Sequence, residues 1–307
     1  MARDESSCGA TSIDSVGLRR LMEMTSGSPD IKVGVIDGPV ALNHPDLAGR
    51  TIQQVRSKIP GSCRSASSSA CGHGTFVLGM LAGKRDSVAP AICPDCTFLL
   101  RPIFSEALEC PNGVVPSTSS EELATAIIDS VNAGAHVLNL SVNITQSSTR
   151  SDMRLIEALD FAGRRGTIVV AAAANEGISP TSALTRHAWV LPVIAADYAG
   201  RPLHNSQLST MTGKRGIAAP GQEIRSLGAN GTALTISGTS AATAFVSGVV
   251  ALLRSQVPTA TAAEVKFAVT RRTSGHRASL VPPMLDAWSA YQTLSGRHVR
   301  ANDHHLI

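Results

Sequence analysis

Residues 31–38 read Ile31-Lys32-Val33-Gly34-Val35-Ile36-Asp37-Gly38. A short apolar run rich in β-branched residues, closed by a carboxylate and a glycine, is the pattern of a strand buried on both faces. Strands of that kind belong to parallel sheets covered by helices. Working outward, similar runs recur at 97–103 (Thr-Phe-Leu-Leu-Arg-Pro-Ile), 136–142, 167–173 (Thr-Ile-Val-Val-Ala-Ala-Ala), 189–195 and 217–219. Helical patterns lie between them. Leu123, Ile127 and Val131 recur at i, i+4, i+8 behind Ser119-Ser120, and Ile156, Leu159 and Ala162 form a second stripe. Thr261 with Glu264 makes a capping-box signature ahead of Val265 and Val269. This alternation predicts an α/β fold: a mainly parallel sheet with helices on both faces. Asp37 then stands at the carboxyl edge of a strand, where open α/β sheets bind ligands.

The bulk numbers fit one such domain. At 307 residues and 43% hydrophobic, the chain can bury a large core. We expect an N-terminal extension over 1–29, the domain over 30–294, and a polar tail over 295–307. Residues 57–72 and 105–119 read as surface loops. A net charge of +4, with Lys and Arg scattered apart from Arg271-Arg272 and the stretch Arg297 to Arg300, argues against nucleic acid as a partner. No apolar run reaches the ~20 residues that span a bilayer, so no membrane partner is expected. Met1-Ala2-Arg3-Asp4-Glu5 opens no secretory apolar segment, which predicts a cytoplasmic location. No GxGxxG follows the first strand, which removes a dinucleotide-binding reading. The chain lacks acidic clusters of the calcium-loop type; no metal in the site and no cofactor are expected, and a structural calcium is left open. The oligomeric state is left open.

Six cysteines (Cys8, Cys63, Cys71, Cys93, Cys96, Cys110) admit several readings. Cys93-Pro94-Asp95-Cys96 has metal-ligand spacing but lacks a second CxxC or a nearby His pair. Cys63 and Cys71 bracket one serine-rich loop and are the disulfide pair to test first. If free, Cys71 would expose the neighbourhood of His73 to thiol reagents.

Three segments carry chemistry: Val35-Ile36-Asp37-Gly38, Gly72-His73-Gly74-Thr75, and Ser237-Gly238-Thr239-Ser240-Ala241. Alone, Asp37 before Gly38-Pro39 would pass for a turn former and Ser240 for a helix N-cap. Together they supply what acyl transfer needs. Ser240 is the hydroxyl nucleophile, His73 the imidazole that takes its proton, and Asp37 the carboxylate that fixes the imidazole tautomer. The segments resemble the subtilisin-like serine proteases, whose Asp, His, Ser order they share. The resemblance covers roughly residues 30–270 and includes Asn43-His44-Pro45-Asp46-Leu47 and Ala218-Ala219-Pro220-Gly221. It implies the subtilisin-like three-layer fold. It also implies that Asn175, in Ala173-Ala174-Asn175-Glu176-Gly177, is the oxyanion-hole asparagine, and that His44 is structural. By the same resemblance Ser141, Val142, Asn143, Ala173 and Ala174 line the substrate groove. Departures occur there: Ser141-Val142-Asn143-Ile144 replaces Ser-Leu-Gly-Gly, and Ala174 replaces a glycine. Elsewhere Phe76 replaces a second histidine, and Ala244 a proline.

Two features are narrower. Asp37-Gly38-Pro39-Val40, and Val88 to Pro94 followed by Leu100-Arg101-Pro102-Ile103-Phe104, look like the proteases that mature cyanobactins, ribosomally made and modified peptides. In that group macrocyclases carry a helical insertion between the Asp and His segments, whereas residues 38–72 here are rich in Ser and Gly with no helical stripe. Leader removal by hydrolysis of a precursor peptide is the expectation. The alternatives are a general degradative subtilase and a catalytically dead peptide-binding module.

Overall fold

The strand read from residues 31–36 runs from Lys32 to Ile36 (β1) in a computed structural model that describes residues 12–106, 117–146, 149–173, 182–204, 206, 208–271 and 280–303. It lies inside a seven-stranded sheet whose spatial order is β2 (Ile52–Gln54), β3 (Thr97–Leu100), β1, β5 (Val137–Leu140), β7 (Ile168–Ala172), β8 (Val190–Ala196), β9 (Ile217–Pro220). Every neighbouring pair is parallel. The chain fills one side of β1 with β2 and β3 and then the other with β5 onward. The order therefore reverses between β1 and β5. A crevice opens at such a switch point, outside the carboxyl ends of the two strands. Two small pairs complete the strands: β4 (Ser117–Ser119) runs parallel to β6 (Asn143–Gln146), and β10 (Ile224–Leu227) pairs antiparallel with β11 (Ala233–Ile236).

Side chains alternate across the strands with period two. Val33, Val137, Ile168 and Val170 pack on one face with α2 (Ser69–Ala82) and α7 (Thr239–Gln256). Leu138, Leu140, Val169 and Ala171 pack on the other with α3 (Ser120–Asn132) and α4 (Thr149–Arg164). The result is the subtilisin-like α/β fold in three layers: helices, parallel sheet, helices. Arg101, 3% exposed, ties the exit of β3 to α3: Nε donates to Asp129 Oδ2 at 3.1 Å and one terminal nitrogen to Glu122 Oε1 at 3.0 Å. The capping box expected at Thr261 and Glu264 opens α8 (Ala262–Thr270).

Several boundaries differ from the sequence reading. Within the segment taken as an N-terminal extension, 1–29, residues 1–11 lie outside the described residues and the remainder contributes to the core: α1 (Leu18–Met24) buries Leu18 and Leu21, and Val16 joins them. Of the tail taken to span 295–307, residues 295–303 continue α9 (Ala287–Asp303), which Ala290 and Leu294 anchor, and 304–307 lie outside the described residues. On α4 the inward stripe is Leu155, Ala158, Leu159 and Ala162, while Ile156 is 40% exposed. The loop over 57–72 ends early, because Ser68 Oγ accepts from Cys71 N and starts α2 at Ser69. His73 thus sits in the second turn of that helix. Of the loop over 105–119, residues 117–119 form β4 and 107–116 lie outside the described residues. α5 (Ala183–Arg186) and α6 (Thr210–Arg215) are short connectors near β8.

Candidate active site

Asp37 leaves the carboxyl end of β1 beside the switch point and is fully buried. Its Oδ1 accepts from Gly38 N at 2.7 Å and lies 2.7 Å from His73 Nδ1. His73 Nε2 lies 2.9 Å from Ser240 Oγ. The three segments, scattered over the chain, are thereby joined in one hydrogen-bonded line. Asp37 Oδ2, equally buried, has no hydrogen-bond partner among the described residues. This line requires α2 to press on the turn after Asp37. A Cβ on Gly38 would collide with Ala70 O, and one on Gly74 would lie 2.5 Å from Pro39 O. Only glycine at both positions lets the helix approach that closely.

Ser240 stands in the first turn of α7, where free backbone N–H groups favour developing negative charge. Gly238 caps that helix with φ 147°, a conformation that other residues rarely adopt. Ala244, at the family's proline position, is buried within an unbroken helix, so helix entry is intact.

The electrostatics suit a general base. Burial alone would push the His73 imidazolium toward losing its proton. The Asp37 charge and hydrogen bond outweigh burial, so the pKa is raised above the usual 6.5. A base must be neutral to accept the Ser240 proton. Activity is therefore expected to fall as pH drops through that raised value, giving an acid limb above pH 6.5 in a kcat/KM profile on a non-ionising substrate. A limb below 6.5 would contradict the Asp37–His73 coupling.

The residues expected to line the substrate groove lie where the strands end. Ser141 and Val142 follow β5 and are buried, and Asn143 begins β6. Ala173 follows β7, buried, with its N–H on Val193 O at 2.8 Å. Ala174 and Asn175 lie outside the described residues. Sequence reasoning missed a buried polar chain beneath this floor. Ser247 of α7 donates to Asn139 Oδ1 at 2.9 Å, and Asn139 Nδ2 donates to Ser141 Oγ at 3.1 Å. The signal was present: Asn139 interrupts the apolar strand Val-Leu-Asn-Leu, and Ser247 interrupts an apolar helix.

His44 accepts Asp46 N on Nδ1 at 3.1 Å and caps the turn Pro45–Leu47, a structural role. Cys63 and Cys71 form a disulfide, so Cys71 offers no free thiol beside His73 and no cysteine nucleophile. Cys93 and Cys96 are buried free thiols, and among the described residues no third metal-ligating group joins them. Cys8 and Cys110 lie outside the described residues. Among the described residues no helix is long and apolar enough to cross a membrane.

Comparison with known proteins agrees with this fold. The model of the subtilase family, Peptidase_S8, matches residues 28–293. The thermophilic serine proteinase of Bacillus sp. (strain AK1) is 31% identical over 240 residues, covering 76% of this chain and 54% of the relative. The chain thus spans about half the length of that curated relative. Among solved structures, the prenylagaramide maturation protease PagA is 30% identical with a TM-score of 0.77, covering 91% of this chain and 98% of that one. A mutant of the protease domain of PatA is 28% identical with a TM-score of 0.77, covering 88% and 97%.

Proposed function

This chain belongs to the subtilase family, and from that premise we propose that it is a serine endopeptidase that removes the leader from a ribosomally made, modified precursor peptide. The observation that carries the chemistry is the line Asp37 Oδ1, His73 Nδ1, His73 Nε2, Ser240 Oγ, with gaps of 2.7 and 2.9 Å. Ser240 Oγ attacks the scissile carbonyl while His73 Nε2 takes its proton, and Asp37 holds the Nδ1–H tautomer and stabilises the imidazolium. The same imidazolium protonates the leaving amine. Water, deprotonated by the regenerated base, then releases the acyl group from Ser240.

In this reading the tetrahedral oxyanion takes hydrogen bonds from Ser240 N–H and the Asn175 amide, each such donor being worth ~3 kcal/mol. Ser141, Val142 and Asn143 after β5, with Ala173 after the adjacent β7 and Ala174 next to it in sequence, hold the substrate backbone. The reaction needs no cofactor.

Leader removal is favoured over general degradation by the likeness to PagA and PatA over nearly their whole chains. Hydrolysis is favoured over ring closure by the stretch between the triad segments. Residues 38–68 hold one three-residue helical turn and β2, with no α-helix before Ser69 to cover the acyl-enzyme. Water at ~55 M then competes against the peptide's own amine unless that amine is held at high effective molarity.

The test is incubation of purified protein with a modified precursor peptide, read by mass spectrometry. We expect one dominant cut, a free N-terminus on the released core, and fragments that together exceed the precursor by one water. A head-to-tail cyclic core would make the chain a macrocyclase. Indiscriminate fragments, with equal rates on denatured casein, would make it a degradative enzyme. No cleavage and no fluorophosphonate labelling would leave a peptide-binding module.

A further inference from the structure

The Cys63–Cys71 disulfide takes no part in acyl transfer, yet it closes a circuit through both Asp37 and His73. From Asp37 the chain leads through Gly38 and Pro39 to Val40, whose N–H donates to Gly61 O at 2.9 Å and whose carbonyl accepts from Cys63 N at 3.0 Å. Cys63 is bonded to Cys71 with a Cα–Cα distance of 5.6 Å. Cys71 stands two residues before His73 on α2. The loop is gripped from the other side as well, because the Glu106 carboxylate accepts Arg64 N at 2.9 Å and Ser65 N at 2.9 Å.

We propose that the Cys63–Cys71 disulfide is a positioning element for hydrolysis: it holds the first turns of α2 against the Asp37–Val40 segment so that His73 stays aligned with Asp37, and opening it lowers turnover while the domain stays folded. This rests on the serine-peptidase reading above. The bond joins residues eight apart, and a crosslink over so short a loop constrains the unfolded chain less than one over a long loop. Opening it should lower Tm, and within the folded domain its effect is local. Other contacts keep α2 docked without it. Thr75 Oγ1 accepts Ala41 N at 2.9 Å and donates to Cys71 O at 2.7 Å, and the glycine packing at Gly38 and Gly74 persists. What is lost is restraint on small shifts of the His73 ring, and a misplacement of about 1 Å can cost on the order of 10² in rate.

Opening the bond is a thiol–disulfide exchange with an added dithiol. A thiolate of the reagent attacks Cys63 Sγ, the less buried sulfur. The S–S bond breaks and Cys71 leaves as a thiolate that takes a proton. The reagent's second thiolate then attacks the mixed disulfide, frees Cys63 as a thiolate that is protonated, and closes the reagent's own ring. Two electrons pass from reagent to cystine. Cys93 and Cys96 are already free thiols and lie ahead of β3, at the amino ends of the strands, away from the site.

The experiment compares four forms on one chromogenic peptide, each assayed below its own Tm: oxidised wild type, wild type reduced with dithiothreitol, reduced wild type reoxidised with oxidised glutathione, and Cys63→Ser/Cys71→Ser. EDTA is present throughout, since the freed thiols and Glu106 carry ligand atoms within 4.8 Å of one another and could take up zinc. In the reduced form kcat should fall about tenfold or more with KM within about twofold. The acid limb of the pH profile should move to lower pH as His73 loosens from Asp37. Reoxidation should restore both, and the double variant should match reduced wild type and ignore dithiothreitol. Should the double variant not fold, reduced and reoxidised wild type carry the comparison. Unchanged kcat and pH limb in folded, reduced enzyme overturn the proposal, as does a double variant that still responds to reductant. An oxidised enzyme that neither hydrolyses peptide nor reacts with a fluorophosphonate overturns the peptidase reading, and this proposal with it.

Discussion

Ser240→Ala lowers kcat by about 10⁶, the scale on which a hydrolytic triad fails when its nucleophile is removed. The side chain contributes one oxygen, placed 2.9 Å from His73 Nε2. No other described hydroxyl lies on His73, and Cys71 is tied up in its disulfide. Removing that oxygen thus leaves the base with nothing to activate but water. Little packing is lost, because the backbone of α7 stays capped by Gly238 and buried on the sheet. Tm should move by no more than a few degrees, as for a substitution that opens no sizeable cavity. Active-site titration with a fluorophosphonate should give no labelling, and circular dichroism should overlay the wild type. A variant that keeps more than about one-thousandth of wild-type kcat would falsify the assignment of Ser240 as nucleophile.

Much of this site was legible because each of its parts is local. Asp37 follows an apolar strand, His73 lies between two glycines, and Ser240 follows a glycine at the head of an apolar helix. Such features need no knowledge of distant contacts. The disulfide was half legible: proximity suggested Cys63 with Cys71, but pairing depends on α2 starting at Ser69, which turns Cys71 toward the loop. The stripe on α4 was misread for a different reason. Leu155, Ile156, Ala158, Leu159, Phe161 and Ala162 satisfy two helical phases, and only packing against α3 and the sheet selects the one with Leu155 and Ala158 inward. The role of α1 was illegible because seven residues with two apolar anchors carry no period of their own. They are buried in a core built by α7 and α9, far along the chain. The Asn139–Ser247 link spans 108 positions, and each residue alone looks like a flaw in an apolar element.

Asp37→Asn should lower kcat by about 10⁴, and the geometry indicates which part of the carboxylate's contribution is lost. Two N–H groups, from Gly38 and His73, converge on Oδ1, while Oδ2 is buried without a partner among the described residues. An asparagine cannot serve both positions. With its carbonyl at Oδ1, its NH₂ is buried at the partnerless Oδ2 position; with its NH₂ at Oδ1, the Gly38 N–H loses its acceptor and the imidazole is held with its proton on Nε2, facing Ser240, the wrong tautomer for a base. In either orientation the charge disappears. Burial of His73 is then unopposed, so its pKa should drop below the usual 6.5, and the imidazolium formed in the transition state loses its counter-ion. The expected record is a large loss in kcat, a small change in KM, and an acid limb displaced below pH 6.5. Should the limb stay where the wild type has it, the Asp37 charge is not what raises His73; should kcat fall by less than about tenfold, Asp37 is not part of the catalytic line.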